Sequence, residues 1–265
     1  MNQTVATQLP LAPVLGEGPK TTSPVGHAQL SNMGLALRTL TDCVEAGEHS
    51  PRMGLFYGFS GYGKSVGAAF ATARTGAAYI EARSIWTQRS LLEAIAEELG
   101  LTRPERTAPR LLRQIIEELN RAPRPLIIDE MDHLVKRHMV EIIRDIHDAT
   151  PVAIMMIGEE ALPAKLKEWE RFDNRILICT PAQPASADDA LKLRNHYCRA
   201  VTVADDLALY FHERCKGVTR RVVVNLQAAE REAAVADVAA IDRAWWGARP
   251  VRTGDIPTRR SMGGF

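Results

Sequence analysis

Residues 58–65 read GFSGYGKS and fit the spacing G-x-x-x-x-G-K-[ST]. That spacing suits the grip of a protein on a polyphosphate. Gly58, Gly61 and Gly63 let the backbone N–H groups of the loop, Ser60 and Tyr62 among them, turn inward on an anion. Lys64 supplies a positive charge for the β- and γ-phosphates, the Ser65 hydroxyl a ligand for magnesium, and Val66 leads into a helix whose N-terminus favours negative charge. The flanks fit as well, with an apolar run, MGLFYG, before the loop and a run of small residues after it.

A second element of the same chemistry is LIIDE, residues 126–130. Asp129 is placed to hold the magnesium shell, as Ser65 does, and Glu130 to orient and deprotonate an attacking water. Two acids at the end of an apolar strand are often only a strand terminus; behind a phosphate loop they form a site. A carboxylate base beside the metal-binding acid favours hydrolysis over transfer to an acceptor, because an acceptor brings its own hydroxyl whereas water needs a base. ATP and Mg2+ are the expected ligands, and the expected reaction is ATP + H2O to ADP + phosphate.

The elements that must position these groups follow from apolar periodicity. A helical pattern starts at Ser31, carries Leu35, Leu37, Leu40 and Val44, and stops at Gly47. Strands are expected at residues 53–58, 77–82, 125–129, 152–158 and 176–179, and helices at 66–74, 88–99, 108–121, 135–147 and 160–169. Strands that are continuous apolar runs and alternate with helices imply a parallel sheet covered on both faces. The fold class is therefore α/β, a P-loop core with a five-stranded parallel sheet. Beyond Pro184 the strands cease and residues 187–200, 205–215 and 219–234 have helical spacing, which predicts a small all-α lid domain. The division expected is a flexible arm over 1–27, rich in Pro and Gly, a nucleotide-binding domain over 28–184, a lid over 185–245 and a basic flexible tail over 246–265.

The balance of 33 Lys and Arg against 32 Asp and Glu, a formal charge of +1, gives no global pull toward nucleic acid or membrane. Any basic binding surface is local. Cys43, Cys179, Cys198 and Cys215 show no zinc or redox spacing and read as buried, reduced thiols. No apolar run approaches the ~18–20 residues of a membrane span, and MNQTVATQLP lacks the pattern of a signal peptide, so a cytoplasmic protein without a membrane partner is expected.

GFSGYGKS, LIIDEMDHL, a fourth strand and a helical lid resemble, over about Ser31 to Ala234, the AAA+ ATPases. The resemblance implies further roles. A polar residue ending the fourth strand senses the γ-phosphate in that family; here VAIMMIGEE offers Gly158 and Glu159, so Glu159 is the side chain that would serve. In WERFDNRIL, Arg171 and Arg175 occupy the place of an arginine that reaches a neighbouring subunit's ATP. KGVTRRVVVNL is similar to a lid motif GxxR and points to Arg220, with Arg221 as runner-up, as the lid contact to nucleotide.

Within that superfamily the short arm, compact core, segment IEARSIWTQRSLLEAIAEELGL and single small lid look most like the transposition regulators, the target-selection subunit of Mu-like phages and its TnsC and TniB relatives. These imply homo-oligomers, filaments or rings, on double-stranded DNA, a transposase partner, and disassembly on hydrolysis. Independently, two loops are rich in cations and hydroxyls: RSIWTQR, with Arg83, Thr87, Gln88 and Arg89, and RPERTAPRLLR, with Arg103, Arg106, Thr107, Arg110 and Arg113. Contacts from such groups to phosphates position a protein on a duplex without reading its sequence. Two other readings stay open: a helicase loader or replication initiator, the initiator being disfavoured by the lack of a C-terminal winged helix, and a secretion-associated structural ATPase with no DNA role.

Overall fold

The computed structural model describes residues 28–47 and 50–254. The expected arm, residues 1–27, and most of the expected basic tail, including Arg259 and Arg260, lie outside the described residues.

The elements run α1 (Ser31–Val44), β1 (Met53–Tyr57), α2 (Lys64–Thr75), β2 (Ala78–Glu81), α3 (Gln88–Glu98), α4 (Ala108–Arg121), β3 (Leu126–Asp129), α5 (Asp132–Lys136), α6 (Val140–Ala149), β4 (Ile154–Gly158), α7 (Leu162–Leu166), α8 (Glu170–Asp173) and β5 (Ile176–Pro181). After these come α9 (Ala187–Tyr197), β6 (Thr202–Val203), α10 (Asp205–Arg214), α11 (Thr219–Val235), β7 (Ala240–Ile241) and α12 (Arg243–Trp246). The sheet is five-stranded and parallel, in the order β2-β3-β4-β1-β5.

Strands β1, β3 and β4 are buried almost throughout, because helices cover both faces. On one face α1 and α2 pack Ala36, Leu40, Ala68 and Ala71 against Phe56, Ile127, Met155 and Ile157. On the other, Leu91 and Ile95 of α3, Leu111 and Ile115 of α4, and Ile143 and Ile146 of α6 close over Leu55, Ile128, Ile154 and Met156. The strand order puts the C-terminal ends of β1 and β3, which carry the phosphate loop and the acid pair, on either side of β4.

The C-terminal region has its own core, where Leu207, Phe211, Val222, Leu226 and Trp246 meet, with the Phe211 and Trp246 rings edge to face at 5.0 Å. It is helical as expected but also holds β6 and β7, paired in parallel through two residues each. The single helix expected at 135–147 is two helices. His138, at φ 55, sits just beyond the end of α5 in the left-handed conformation that ends a helix, and Met139 N–H turns back to the Leu134 carbonyl. Within the helix expected at 160–169 only the short α7 forms, and α8 follows it from Glu170. The cysteines are free, but only Cys43 and Cys215 are buried; Cys179, on the outer side of the edge strand β5, is exposed.

Candidate functional site

The loop between β1 and α2 turns on three residues at positive φ: Gly58 at 155, Gly61 at 86 and Gly63 at 83, the last as the N-cap of α2. A side chain at Gly61 would also meet Val218 of the helical region, its Cβ 2.8 Å from Cγ1. Lys64 folds back on its own loop, its Nζ donating to the carbonyls of Gly58 (2.6 Å) and Phe59 (3.0 Å). Burial lowers its pKa, against the pull of Asp129 and Glu130. The buried Asn32 of α1 braces the loop from behind. Its amide donates to the carbonyls of Tyr62 and Gln183, both at 2.7 Å, and its oxygen accepts from the Gln183 N–H at 2.9 Å.

At the end of β3, Asp129 is 2% exposed and accepts two hydrogen bonds, from Tyr79 Oη of β2 (2.9 Å) and from the Glu130 N–H (2.8 Å). Glu130 has φ 55, a left-handed conformation that non-glycine residues seldom take. Partial loss of water, then the Asp129 carboxylate, hold its pKa above the ordinary carboxylate value. Tyr79 is pushed upward by burial and by the same Asp129.

Asp132, three residues on from Asp129, is buried. Its carboxylate accepts from the Glu159 N–H at 2.7 Å and from Lys165 Nζ at 2.5 Å. A Cβ at Gly158 would fall 2.4 Å from Asp132 Oδ2 and 2.6 Å from Leu162 Cδ2, so the last residue of β4 has no room for a side chain. Glu159 itself is exposed, its carboxylate 3.6 Å from Lys165 Nζ.

A cavity of about 310 Å³ joins these parts, lined by Ser60, Gly61, Gly63, Lys64, Ser65, Val66 and Glu130 on one side and by Thr219, Arg220, Leu193 and Tyr197 of the helical region on the other. Asp129 and Glu159 are not among its lining residues. Ala28, Leu30, Val223 and Val224 add an apolar end that suits a purine base. The Arg220 N–H donates to the Gly61 carbonyl at 3.1 Å, so α11 begins on the phosphate loop. Arg221 points elsewhere, its guanidinium packed against Gly254. Ser31 N–H and hydroxyl both bond Asp189 of α9, at 3.0 and 3.2 Å, tying α1 to the helical region.

Residues 47–166 match the family model described as an AAA domain. Among solved structures the chain resembles ORC2 of Aeropyrum pernix, described as ADPNP-ADP complexes, at a TM-score of 0.63 and 14% identity, over 81% of this chain and 64% of that one. It also resembles Cdc6p of Pyrobaculum aerophilum (TM-score 0.62, 16% identity, 84% and 66% covered) and A. pernix ORC1 in complex with DNA (0.59, 18%, 86% and 65%). The fold is the P-loop AAA+ fold. This chain spans just under two thirds of each of those three proteins. No curated protein matches it in sequence.

Elsewhere on the AAA+ core, Arg171 on α8 is exposed, with no ion-pair partner among the described residues. Arg175 forms a two-pronged pair with Asp148 of α6, at 3.0 and 2.8 Å, which lowers the Asp148 pKa. The two basic loops are neighbours: the Arg89 guanidinium pairs with Glu93 at 2.8 Å and bonds the Arg106 carbonyl, so it works as a strut between them. Arg83, Gln88, Arg103, Arg106 and Arg110 are exposed, while Thr87 and Thr107 are the N-caps of α3 and α4. No helix among the described residues is long and apolar enough to cross a membrane.

Asn32, Tyr79, Asp132, Lys165 and Asp189 join the site from structure alone. Only Asp132 carries a local signal, as the third acid of DEMD, and that reads equally well as a helix start.

Proposed function

We propose that the chain binds and hydrolyses ATP with Mg2+ at the cavity between the phosphate loop and α11, and that it acts on double-stranded DNA as an oligomer. The observation that carries the first part is the convergence of Lys64, Ser65, Glu130 and Arg220 on one cavity behind a glycine-cornered loop. Lys64 and the loop N–H groups would hold the phosphates, Ser65 and Asp129 the magnesium, and Arg220 the lid side of the nucleotide. Magnesium supplies charge neutralisation of the phosphates. Glu130 is the base for water; its raised pKa suits it to take a proton. Glu159 has a weaker case as a sensor, since its carboxylate is turned to Lys165 and Gly158 excludes a neighbouring candidate. Arg220 is a better lid candidate than Arg221, and Arg171, exposed and without an ion-pair partner among the described residues, a better trans-acting finger than Arg175.

The DNA part is supported by the joined basic loops and by likeness to ORC1, solved with DNA. Of the finer readings, a replication-initiator or helicase-loader role has the support of the likeness to ORC2, Cdc6p and ORC1. Target selection for a transposase, with filaments dismantled on hydrolysis, rests on the sequence resemblance alone. Two experiments test the proposal. Lys64→Ala should abolish nucleotide binding while Glu130→Gln binds ATP without turnover; wild-type turnover by the Glu130 variant would sink the catalytic assignment. Electron microscopy with ATP and plasmid DNA separates continuous filaments, expected of a transposition regulator, from discrete particles, expected of an initiator; bare DNA at low salt would refute both.

A further inference from the structure

A second cavity, of about 570 Å³, lies between the loop that follows β2 and α5. It is lined by Trp86 and Thr87 from the loop, by Gln88 at the start of α3 and by His133, Lys136 and Arg137 from α5 and its end. Three of these side chains are basic, and no carboxylate lines the cavity. The walls are fixed to each other, because Arg137 Nε donates to the Ser84 carbonyl at 2.6 Å. Lys136 is exposed and has no ion-pair partner among the described residues, so its charge is available to a ligand. Thr87 and Gln88 add hydrogen-bonding groups, and the half-buried Trp86 an apolar wall. The cavity continues the basic surface, since Arg89 follows directly and ties this loop to the Arg106 carbonyl.

One backbone hydrogen bond joins its wall to that of the nucleotide site. Glu130 lines the nucleotide cavity and His133 this one, and the His133 N–H donates to the Glu130 carbonyl at 3.0 Å. Between them the Met131 N–H is held by the Ile157 carbonyl of β4 at 2.8 Å, so the His133 N–H bond is the direct link from α5 to Glu130, the residue in the left-handed conformation.

We propose that this cavity takes a backbone phosphate of double-stranded DNA, held by Lys136 and His133 with its sugar against Trp86, and that the contact reports DNA occupancy to Glu130. The ligand is identified by its chemistry: an anion with an apolar neighbour, presented along a surface that carries further cations for the next phosphates. Lys136 and His133 extend the DNA-contacting set to the helix that directly follows the acid pair, and they act on hydrolysis as positioning residues through the turn at Glu130.

The inference rests on the DNA reading above, and the test separates the two. The full chain is incubated with ATP and a duplex of arbitrary sequence and treated with an amine-acetylating reagent; acetylation of Lys136 is compared with that of Lys192 on α9. The duplex should protect Lys136 and leave Lys192 unchanged. Lys136→Gln should bind the duplex several-fold more weakly, with the slope of log K against log salt reduced by about 0.9, the value of one phosphate contact, and Lys136→Arg should recover the slope. The ratio of ATP turnover with and without saturating duplex should fall toward about 1 in Lys136→Gln. If wild-type protein does not bind duplex DNA, the DNA reading itself fails. If it binds, but Lys136 is acetylated as fast as before and the Lys136→Gln slope matches wild type, this inference is overturned and the DNA reading stands. Loss of protection-linked affinity with an unchanged turnover ratio would overturn the report to Glu130.

Discussion

Glu130 joins two costs in one residue, and substitutions can separate them. At φ 55 a residue with a Cβ is held at about 1–2 kcal/mol above the right-handed conformation, whereas Asn is tolerated there because its short side chain bonds locally. Glu130→Gln keeps the backbone cost and removes the charge; Glu130→Asn removes the charge and relieves part of the backbone cost, about 0.5–1 kcal/mol. Glu130→Gly relieves all of it but adds entropy to the unfolded chain, ~0.5–1 kcal/mol, and should land near Asn. In urea unfolding without nucleotide, Asn and Gly should therefore exceed Gln by about 0.5–1 kcal/mol, a rise of roughly 1–4 °C in Tm for a chain of this size. The charge contributes separately. Because the folded-state pKa of Glu130 is raised above 4.5, the folded protein prefers the protonated form, so the ionised carboxylate costs stability above the folded pKa and not below 4.5. Glu130→Gln should thus be somewhat more stable than wild type at neutral pH, with the difference vanishing as pH falls toward 4.5. None of the three variants should turn over ATP. An Asn variant no more stable than the Gln variant would refute the claim of strain at this turn.

Gly158→Ala should lose about 1–3 kcal/mol by urea unfolding, since its methyl meets Asp132 Oδ2 at 2.4 Å and Leu162 Cδ2 at 2.6 Å. A double-mutant cycle with Asp132→Asn and Lys165→Met should give a coupling of about 1–3 kcal/mol, discounted for the partial exposure of Lys165; a coupling below about 0.5 kcal/mol would make the pair incidental. The Arg175 hydrogen bonds depress the Asp148 pKa below its ordinary 3.8, so their stability is present above pH 3.8 and lost as pH falls through the folded value; Arg175→Gln should unfold at a higher pH in an acid titration. Mixing Arg171→Ala with Lys64→Ala protein should restore some ATP turnover if Arg171 completes a neighbour's site, and no rescue at any ratio would exclude it.

The phosphate loop and the acid pair were readable because their chemistry is written in contiguous residues: a loop that must present N–H groups needs its glycines in series, and a metal-binding acid at a strand end needs the apolar strand before it. The sheet was readable because strands covered on both faces lose their alternation and become apolar runs, as β1, β3 and β4 do. What could not be read is what holds these pieces in register. Asn32 meets Gln183 across 151 positions, Ser31 meets Asp189 across 158, and Tyr79 meets Asp129 across 50. Each is a single polar residue in an ordinary helix or strand, and no local period distinguishes it from a solvated one. The same holds for Arg89, which composition alone offers as a phosphate contact and which folding commits to Glu93 and the Arg106 carbonyl. The breaks at His138 and ahead of α8 were hidden for a different reason, since apolar spacing runs on through a three-residue turn. The cavity is thus assembled from the residues just ahead of α1, the phosphate loop, the end of β3, α9 and the start of α11. Two long-range ties, Ser31 to Asp189 and Arg220 to Gly61, bind the helical region to the sheet domain around it, while Asn32 holds the turn at Gln183 against the phosphate loop. A ligand that engages both Lys64 and Arg220 would span the two regions beside the Arg220 to Gly61 tie.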